Sequence, residues 1–556
     1  MITRAVFFYR PLSCRLIFVI AIPLGLMGCQ TSSAAKQNID WLAECLDLPL
    51  DQYSQELRAR TQCGVVTAPL DHLDPAKGTI TFGITRVSAK NPDVREGAIL
   101  TNPGGPGSAS AGIFAVHLAS VWEKYAQDAI NGDGYQHLLA RYDVVEITPR
   151  GVGGNATTTL ECHSEESIAH QNDATEDRSS ENVHTIGLNA AVVARGCQAQ
   201  AIAPYINTDQ TARDMEFVRI QLKQDKLHYL GNSYGTWLGA WYASLFPGSA
   251  GRMVLDSSLD WTSPLQMASL VGAPEKERIF NHLVATPAAK RPQIYRLGDD
   301  PQTVREGFLT LLPAVRAAAR LNYAEPENLM AAITLSAWLQ QFPDRDADRL
   351  NEMSAAHVFS PDLMINERAK ALFGELTLAV FSQAPNEYFE PGPLRLSGPD
   401  SVRSTVLCND SVSGNDDFWV RQEDEYAEQF PVGGSLFMAR HCAQWSGVRP
   451  ERPAVEQLAQ VESLLMVQAE YDDQTPAAGA LRTFEQTANA HMVFLEGEKE
   501  HGVSFSDVSS CVNQLVGEYL AYGIKPDRLT VCKKSDATAQ EVSFSTESAV
   551  GRVNQV

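Results

Sequence analysis

The sequence lacks the short motifs that mark several large classes of metal- and cofactor-dependent enzymes. It contains neither a C-x-x-C nor an H-E-x-x-H pattern, so the common zinc sites are not expected. The glycine-rich stretch 102–107 is not followed by Gly-Lys-Ser/Thr, which excludes a P-loop, and residues 149–153 lack the G-x-G-x-x-G spacing of a dinucleotide loop. We therefore expect no metal and no organic cofactor.

Positive charge is also scarce. The chain has 45 lysines and arginines against 67 aspartates and glutamates, a net charge of −22. Three of the basic residues lie in the first 28 positions, so the remainder carries 42 positive against 67 negative charges, a balance of −25. A surface of this sign repels phosphate backbones and anionic lipid headgroups. We expect no nucleic-acid partner.

The N-terminal apolar run, residues 16–26, is too short to span a bilayer and reads as a signal-peptide core. It ends at Gly28-Cys29, which resembles a lipoprotein signal: residues 1–28 would be removed, and acyl chains such as palmitate on Cys29 would anchor the protein. Gln30 favours outer-membrane sorting in a host with two membranes. We expect an exported lipoprotein facing the periplasm or the cell surface; the alternative is a plain secretory signal with an unrelated cysteine.

Beyond Cys14 and Cys29, eight cysteines remain, an even number that predicts disulfides in an exported chain. Eight cysteines allow 105 pairings. Because these fall as four local pairs, we predict Cys45–Cys63, Cys162–Cys197, Cys408–Cys442 and Cys511–Cys532. Each bridge is worth roughly 2–4 kcal/mol.

At 556 residues, the chain exceeds a single small core. The predicted organisation is a leader (1–28), an anchor and linker (29–60), a core (61–260), a helical cap (261–405), the rest of the core (406–532) and a polar tail (533–556). A helical insertion between two strands of a sheet is typical of a lid over a site; the alternative is a separate helical domain for protein contacts.

Hydrophobic patterning predicts an α/β fold. Residues 63–71 and 78–88 alternate apolar and polar side chains and predict two antiparallel strands. Apolar runs predict strands of a parallel sheet at 97–101, 142–148, 227–230, 251–256, 462–469 and 491–495. Helices are expected at 304–321, 327–341 and 361–381 in the cap and at 477–488 and about 509–521 in the core, and the polar stretch 154–200 is expected to be irregular.

One strand runs into Gly231-Asn-Ser-Tyr-Gly235 and then directly into a helical pattern. This is the G-x-S-x-G nucleophile elbow, which holds a serine on a sharp strand-to-helix turn. So short a pattern also occurs by chance in ordinary turns, so the interpretation depends on partners.

A serine hydroxyl needs a base, and the base needs a third group to orient it. Asp472 and His501 each follow a late predicted strand, at the sheet edge where Ser233 lies, and the order Ser, Asp, His is that of α/β-hydrolases. The alternatives are Asp256 and Asp473 for the acid, and His491 and His441 for the base. Backbone amides of Gly105, in the Asn-Pro-Gly-Gly-Pro-Gly loop, and of Tyr234 are expected to form the oxyanion hole.

The chain resembles the tripeptidyl-aminopeptidase-like α/β-hydrolases, serine exopeptidases related to prolyl aminopeptidase that carry a TAP-like C-terminal region. The pieces that match in order and spacing are Cys63 with 68–71, 102–107, 142–145 with 149–153, Asp214 with Arg219, 231–235, 254–256, 408–410, 442–445, 472–476, 501–502, and Cys511 with Tyr519, Pro526 and Cys532. The family usually has an aspartate where this chain has Thr148, so the loop around Arg150 could be held differently.

The resemblance implies an α/β-hydrolase fold: a mostly parallel central sheet with a helical lid inserted after the strand ending near Asp256. It implies Ser233 as nucleophile, Asp472 as acid and His501 as base of an aminopeptidase that acts on a peptide through an acyl-enzyme. Two alternatives stay open: an esterase or amidase taking small acyl substrates with the same triad, and a non-catalytic surface lipoprotein. The oligomeric state and the substrate length are not predicted.

Overall fold

The computed structural model describes residues 38–535, except for 46–47, 109, 111, 129–131, 155–156, 345, 383–390, 412–413, 436–438 and 448. The leader, Cys29 and most of the polar tail lie outside the described residues. The strands are β1 (Ile39–Trp41), β2 (Thr61–Pro69), β3 (Thr79–Val87), β4 (Gly97–Asn102), β5 (Tyr142–Ile147), β6 (His163–Ile168), β7 (Leu227–Asn232), β8 (Ala250–Asp256), β9 (Gly392–Arg395), β10 (Leu464–Ala469), β11 (Ala490–Glu496) and β12 (Leu529–Lys533).

The helices that precede the cap are α1 (Gln55–Arg60), α2 (Phe114–Tyr125), α3 (Asp133–Arg141), α4 (Ser180–Gln198), α5 (Thr208–Gln221) and α6 (Tyr234–Leu245). The cap contains α7 (Ala268–Ile279), α8 (Thr286–Lys290), α9 (Pro292–Tyr295), α10 (Pro301–Leu309), α11 (Pro313–Ala319), α12 (Pro326–Gln341), α13 (Ala347–Ala356) and α14 (Leu363–Phe381). After it come α15 (Gly398–Asn409), α16 (Asp416–Gln429), α17 (Val455–Leu458), α18 (Ala477–Gln486) and α19 (Ser510–Tyr522). No helix in the described part of the chain is long and apolar enough to cross a membrane.

Ten strands form one central sheet in the order β1-β2-β3-β5-β4-β7-β8-β10-β11-β12. The first three strands pair antiparallel, and β3 is antiparallel to β5. The remaining pairs are parallel. The α/β-hydrolase architecture with a mostly parallel sheet is therefore confirmed. Because successive side chains of a strand point to opposite faces, Val254 and Leu255 of β8 enter two different apolar clusters, one on each side of the sheet.

The helical insertion follows β8 and has an apolar core of its own, which includes Phe280, Phe308, Leu335 and Phe373. The single helix predicted over 304–321 is two helices, α10 and α11. Pro313 begins the second, since proline lacks the N–H needed inside a helix but suits a first turn. The predicted end of the cap, residue 405, falls within α15.

The prediction that residues 154–200 are irregular was wrong. They include β6 and the 19-residue helix α4, whose N-cap Ser179 accepts a hydrogen bond from the Asn182 amide. Helix α4 buries Ile186 and Val193, an apolar face that the many polar residues around it obscured. Strand β6 pairs with β9, more than 200 residues later, in a second small sheet. The short strand β1 in the predicted linker was also missed.

All four predicted disulfides are present: Cys45–Cys63, Cys162–Cys197, Cys408–Cys442 and Cys511–Cys532. His441 lies close enough to the third bridge that its nitrogen and the two sulfurs could in principle surround a metal ion. The two sulfurs are bonded to each other, however, and a disulfide does not offer the thiolates that bind zinc.

Candidate active site

Ser233 occupies the sharp turn between β7 and α6. Its backbone has φ +56° and ψ −124°, a conformation that costs energy for a residue with a side chain and is typical of functional turns. The turn needs both flanking glycines. A Cβ on Gly231 would lie 2.4 Å from the Gly235 carbonyl oxygen, and one on Gly235 would lie 2.7 Å from the Asn102 carbonyl oxygen. The structure therefore has the strand–turn–helix geometry that the motif predicts.

Asp472 and His501 form a hydrogen-bonded pair in the turns that follow β10 and β11. The imidazole Nδ1 lies 3.0 Å from Oδ1 and 2.9 Å from Oδ2 of the carboxylate. Asp472 is fully buried, and it also accepts hydrogen bonds from the amides of Gln474 and Thr475 and from the Thr475 hydroxyl, at 2.8–2.9 Å. Burial lowers the pKa of His501, but the hydrogen bond and charge of Asp472 outweigh it, so the pKa is raised above 6.5. The bond at Nδ1 leaves Nε2 as the nitrogen available to a nucleophile.

The turns that carry the serine and the histidine are both bonded to the end of β8. The Ser233 amide donates to the Asp256 carbonyl at 3.0 Å, and the Gly502 amide donates to the Ser257 hydroxyl at 2.8 Å. Within the described part of the chain, no hydrogen bond joins the Ser233 hydroxyl to the His501 imidazole. Such bonds are often long before a substrate binds and shorten in the complex.

The other candidates for acid and base have partners outside this pair. Asp473 accepts from the Tyr323 hydroxyl, Asp256 accepts from the amides of Val503 and Ser504, His491 contacts the Pro526 carbonyl, and His441 contacts the Ser404 carbonyl. Of the residues proposed from the sequence, the structure joins Asp472 with His501 at the same sheet edge as Ser233.

The loop after β4 lies against the serine turn. A Cβ on Gly104 would come within 2.8 Å of the Ser233 Cβ and 3.2 Å of the Tyr234 amide nitrogen. The Gly104 amide donates to the Asn102 side chain at 2.9 Å, whereas the amides of Gly105 and Tyr234 donate to none of the described residues. That the two amides bind a substrate oxygen stays a prediction from the sequence.

Glu146 was missed at the sequence level, although a glutamate inside an otherwise apolar strand is a signal of a buried polar contact. It is fully buried in β5, and burial raises its pKa to about 8. Its carboxyl group accepts from the amides of Gly112 at 2.7 Å and Ala115 at 3.0 Å, at the start of α2. Glu146 thereby ties the segment that leads into α2 to the sheet.

The cap brings one further carboxylate near the acid. Glu275 of α7 is largely buried, and burial raises its pKa. The charges of Asp473 and Asp472 raise the pKa further, whereas the ion pair with Arg278, at 2.6 Å, lowers it without cancelling the rise. A Cβ on Gly272 would lie 3.0 Å from the Asp473 carbonyl oxygen, so α7 packs directly on the acid turn. Glu275 and Arg278 also line a cavity of about 240 Å³ whose other walls include Trp237, Met267, Val271 and Tyr426.

Thr148 does not leave Arg150 unsupported. The guanidinium is fully buried and pairs with both carboxylate oxygens of Asp214, at 2.6 and 2.7 Å. It also donates to the Leu70 carbonyl at 2.7 Å. In this chain the loop around Arg150 is held by Asp214.

Known proteins that are similar to this chain cover most of its length. A family model described as "alpha/beta hydrolase fold" matches residues 97–296, and one described as "TAP-like protein" matches residues 430–532. The chain is 27% identical over 514 residues to tripeptidyl aminopeptidase of Streptomyces lividans, covering 90% of this chain and 87% of that protein.

Two further relatives differ in name and in coverage. Serine protease Hip1 of Mycobacterium tuberculosis is 24% identical, over 84% of this chain and 87% of that protein. Carboxylesterase B of the same species is 31% identical over 170 residues, 30% of each chain. With the sheet order, these matches show that the chain has the α/β-hydrolase fold and that residues 430–532 are similar to the TAP-like family.

Proposed function

We propose that the protein is a serine peptidase that releases short peptides or amino acids from the free N-terminus of a peptide. The observation that carries the proposal is the Asp472–His501 pair, with oxygen–nitrogen distances of 2.9 and 3.0 Å, at the edge where Ser233 occupies a strained turn. The names of two relatives, tripeptidyl aminopeptidase and serine protease, support a peptide as substrate.

In the proposed mechanism, the Ser233 hydroxyl attacks the scissile carbonyl carbon while His501 Nε2 accepts its proton. Asp472 stabilises the imidazolium that results. The amides of Gly105 and Tyr234 donate to the oxyanion, and each such donor is worth roughly 3–4 kcal/mol of barrier. His501 then protonates the leaving amine, and a water molecule, deprotonated by the same imidazole, hydrolyses the acyl-enzyme.

An aminopeptidase must also bind the α-ammonium group of its substrate, which calls for a carboxylate near the serine. Glu275 is the cap carboxylate whose charge interacts with Asp472 and Asp473, and it lies on the helix that packs on the acid turn. We assign it this role ahead of Glu352 and Glu367 because those two side chains are exposed, whereas Glu275 is largely buried.

The test compares chromogenic tripeptidyl and aminoacyl amides, free and N-acetylated. We expect turnover of the free substrates and loss of turnover on acetylation. Ser233→Ala should abolish turnover, and Ser244→Ala, which removes a buried hydroxyl from the same helix, serves as the matched control. Equal turnover of free and acetylated amides would rule out recognition of the amine.

An esterase or amidase acting on small molecules is the second candidate, favoured by the 31% identity to carboxylesterase B over 170 residues. A short-chain nitrophenyl ester added to the same assay separates the two. Strong ester turnover, with indifference of the amides to acetylation, would favour this alternative.

We further propose that Cys29 carries the lipid anchor predicted from the sequence. Wild-type protein expressed with its leader should fractionate with membranes, and Cys29→Ser should move to the soluble fraction. A Cys29→Ser protein that stays with the membranes would contradict the proposal.

A further inference from the structure

The last residue of β8 contacts both the serine turn and the histidine loop. Asp256 is fully buried, and its carbonyl oxygen accepts the Ser233 amide at 3.0 Å. Its carboxylate accepts the amides of Val503 at 3.0 Å and Ser504 at 2.7 Å, and the Ser504 hydroxyl at 2.5 Å. These donors come from the turn that directly follows His501. One residue therefore bonds to the nucleophile turn through its backbone and to the base loop through its side chain.

The next residue, Ser257, adds a second pair of bonds. Its hydroxyl accepts the Gly502 amide at 2.8 Å, and its own amide donates to the Val467 carbonyl of β10 at 2.9 Å. Ser257 is also fully buried, and its backbone has φ +56°, a conformation that costs energy for a serine. Strained backbone of this kind persists where surrounding contacts stabilise it. Here the contacts are with Val467, on the strand that precedes Asp472, and with Gly502, the residue after His501.

Strand order explains why this position is special. The serine follows β7, the acid follows β10 and the base follows β11, while β8 lies between β7 and β10. Strand β8 thus sits inside the group of strands that carry the triad and contributes no member to it. At its end, Asp256 contacts the serine turn through its backbone carbonyl and the histidine loop through its side chain.

We propose that Asp256 and Ser257 are positioning residues that set the distance between the Ser233 hydroxyl and the His501 imidazole. This inference rests on the proposed Ser233–His501–Asp472 mechanism. Proximity effects are steep, since a displacement of about 1 Å of a reacting group can cost on the order of 10²-fold in rate. Asp256 and Ser257 would act through the loop and would not touch the substrate.

The first test is Asp256→Asn. An amide has one acceptor oxygen and would turn its NH₂ group toward the backbone N–H donors of Val503 or Ser504, so the loop must shift. We expect kcat on a nitrophenyl ester to fall on the order of 10²-fold with KM within about twofold of wild type. The matched control is Asp143→Asn. Asp143 is a buried carboxylate that accepts from the Ala89 amide and from Arg95 at the opposite end of the sheet, and its replacement should leave kcat unchanged.

The second test, Ser257→Gly, keeps the proposal falsifiable if Asp256→Asn does not fold. Glycine adopts positive φ without strain, so the change removes the hydroxyl acceptor while the backbone conformation remains favourable. We expect a folded protein, by thermal melting, whose kcat is lowered about tenfold with little change in KM. A folded Ser257→Gly protein with wild-type kcat would overturn the proposal, as would equal kcat losses in Asp256→Asn and Asp143→Asn.

Labelling with a fluorophosphonate probe separates this proposal from the proposed function. If Ser233 is the nucleophile, wild type is labelled and Ser233→Ala is not, and Asp256→Asn should be labelled more slowly than wild type. If Ser233→Ala is labelled as fast as wild type, the proposed mechanism fails. If Ser233 alone is labelled but Asp256→Asn reacts at the wild-type rate, only the positioning role fails.

Discussion

Two regions of the molecule are stabilised by different contacts: the carboxyl ends of the central strands, called the sheet edge here, and the helical cap. At the sheet edge, turns that carry the proposed triad are bound by buried backbone amides, as at Asp472 and Asp256. The contacts between the cap and the core include side-chain pairs. Arg316 pairs with Glu176, which precedes α4, and the Tyr323 hydroxyl donates to Asp473 at 2.8 Å.

We infer from this difference that the two regions have different roles, one in proton transfer and one in substrate selection. Groups that move protons need fixed distances, which buried strand ends provide. Groups that select a substrate can tolerate adjustment, which a helical insertion joined by side-chain contacts allows. Substitutions at the sheet edge should therefore change kcat, and substitutions in the cap should change KM.

The largest expected effect is that of Ser233→Ala. Without a nucleophile, only binding and the oxyanion donors remain, so kcat should fall by on the order of 10⁴-fold or more. Steady-state kinetics on the best amide substrate measures it, with Ser244→Ala as the control. Residual activity above about 10% of wild type would show that Ser233 at the sheet edge is not the nucleophile.

Asp472→Asn should reduce kcat by on the order of 10⁴-fold, because an amide cannot stabilise the imidazolium and favours the wrong tautomer of His501. The neighbouring Asp473→Asn is a matched control, since Asp473 bonds to the cap residue Tyr323. We expect that control to change kcat less than tenfold. Similar losses in both variants would contradict the assignment of the acid.

Gly104→Ala should lower kcat by on the order of 10²-fold, because an oxyanion donor is displaced. The added Cβ would lie 2.7 Å from the Asn232 carbonyl oxygen and 2.8 Å from the Ser233 Cβ. Gly78→Ala tests backbone strain alone, because Gly78 also has positive φ but has nothing within 4 Å of its Cβ position. If the two variants lose the same activity, strain and not contact with the serine turn is responsible.

In the pH dependence of kcat/KM, the midpoint of the acidic limb should lie above pH 6.5. His501 accepts a proton only when neutral, and its pKa is raised from 6.5 by Asp472 and, more weakly, by Asp256 and Asp473. Activity should fall tenfold per pH unit below that pKa. Asp473→Asn removes one of these charges and should move the limb to lower pH. A limb below pH 6.5 in wild type would contradict the assignment of the base.

The smallest expected effect is that of Tyr323→Phe in the cap. Loss of the hydroxyl leaves Asp473 without that donor, a change of about 1 kcal/mol, or roughly fivefold. We expect this roughly fivefold change to appear in KM for free-amine substrates, while kcat stays the same. Tyr295→Phe, elsewhere in the cap, is the control. A large fall in kcat would show that the cap and the sheet edge are not separate in function.

Local patterns accounted for much of the fold and the site. The strands around Ser233, Asp256 and Asp472 were predicted because buried apolar runs and turn glycines depend on residues close in sequence. Helix α4 was missed because the stretch 154–200 in which it lies contains many polar residues that obscured its apolar face. Strand β9 was missed because its partner β6 is more than 200 residues away.

The sequence by itself determined the serine turn, the order of the three residues proposed to react and the four disulfide pairs, because those depend on spacing along the chain. Only the tertiary structure decided which carboxylate meets the imidazole. Asp256 ends one predicted strand and Asp472 and Asp473 follow another, and the hydrogen bond to His501 distinguishes Asp472 from the other two. That bond joins residues 29 positions apart and depends on the parallel pairing of β10 with β11, which local patterning does not record.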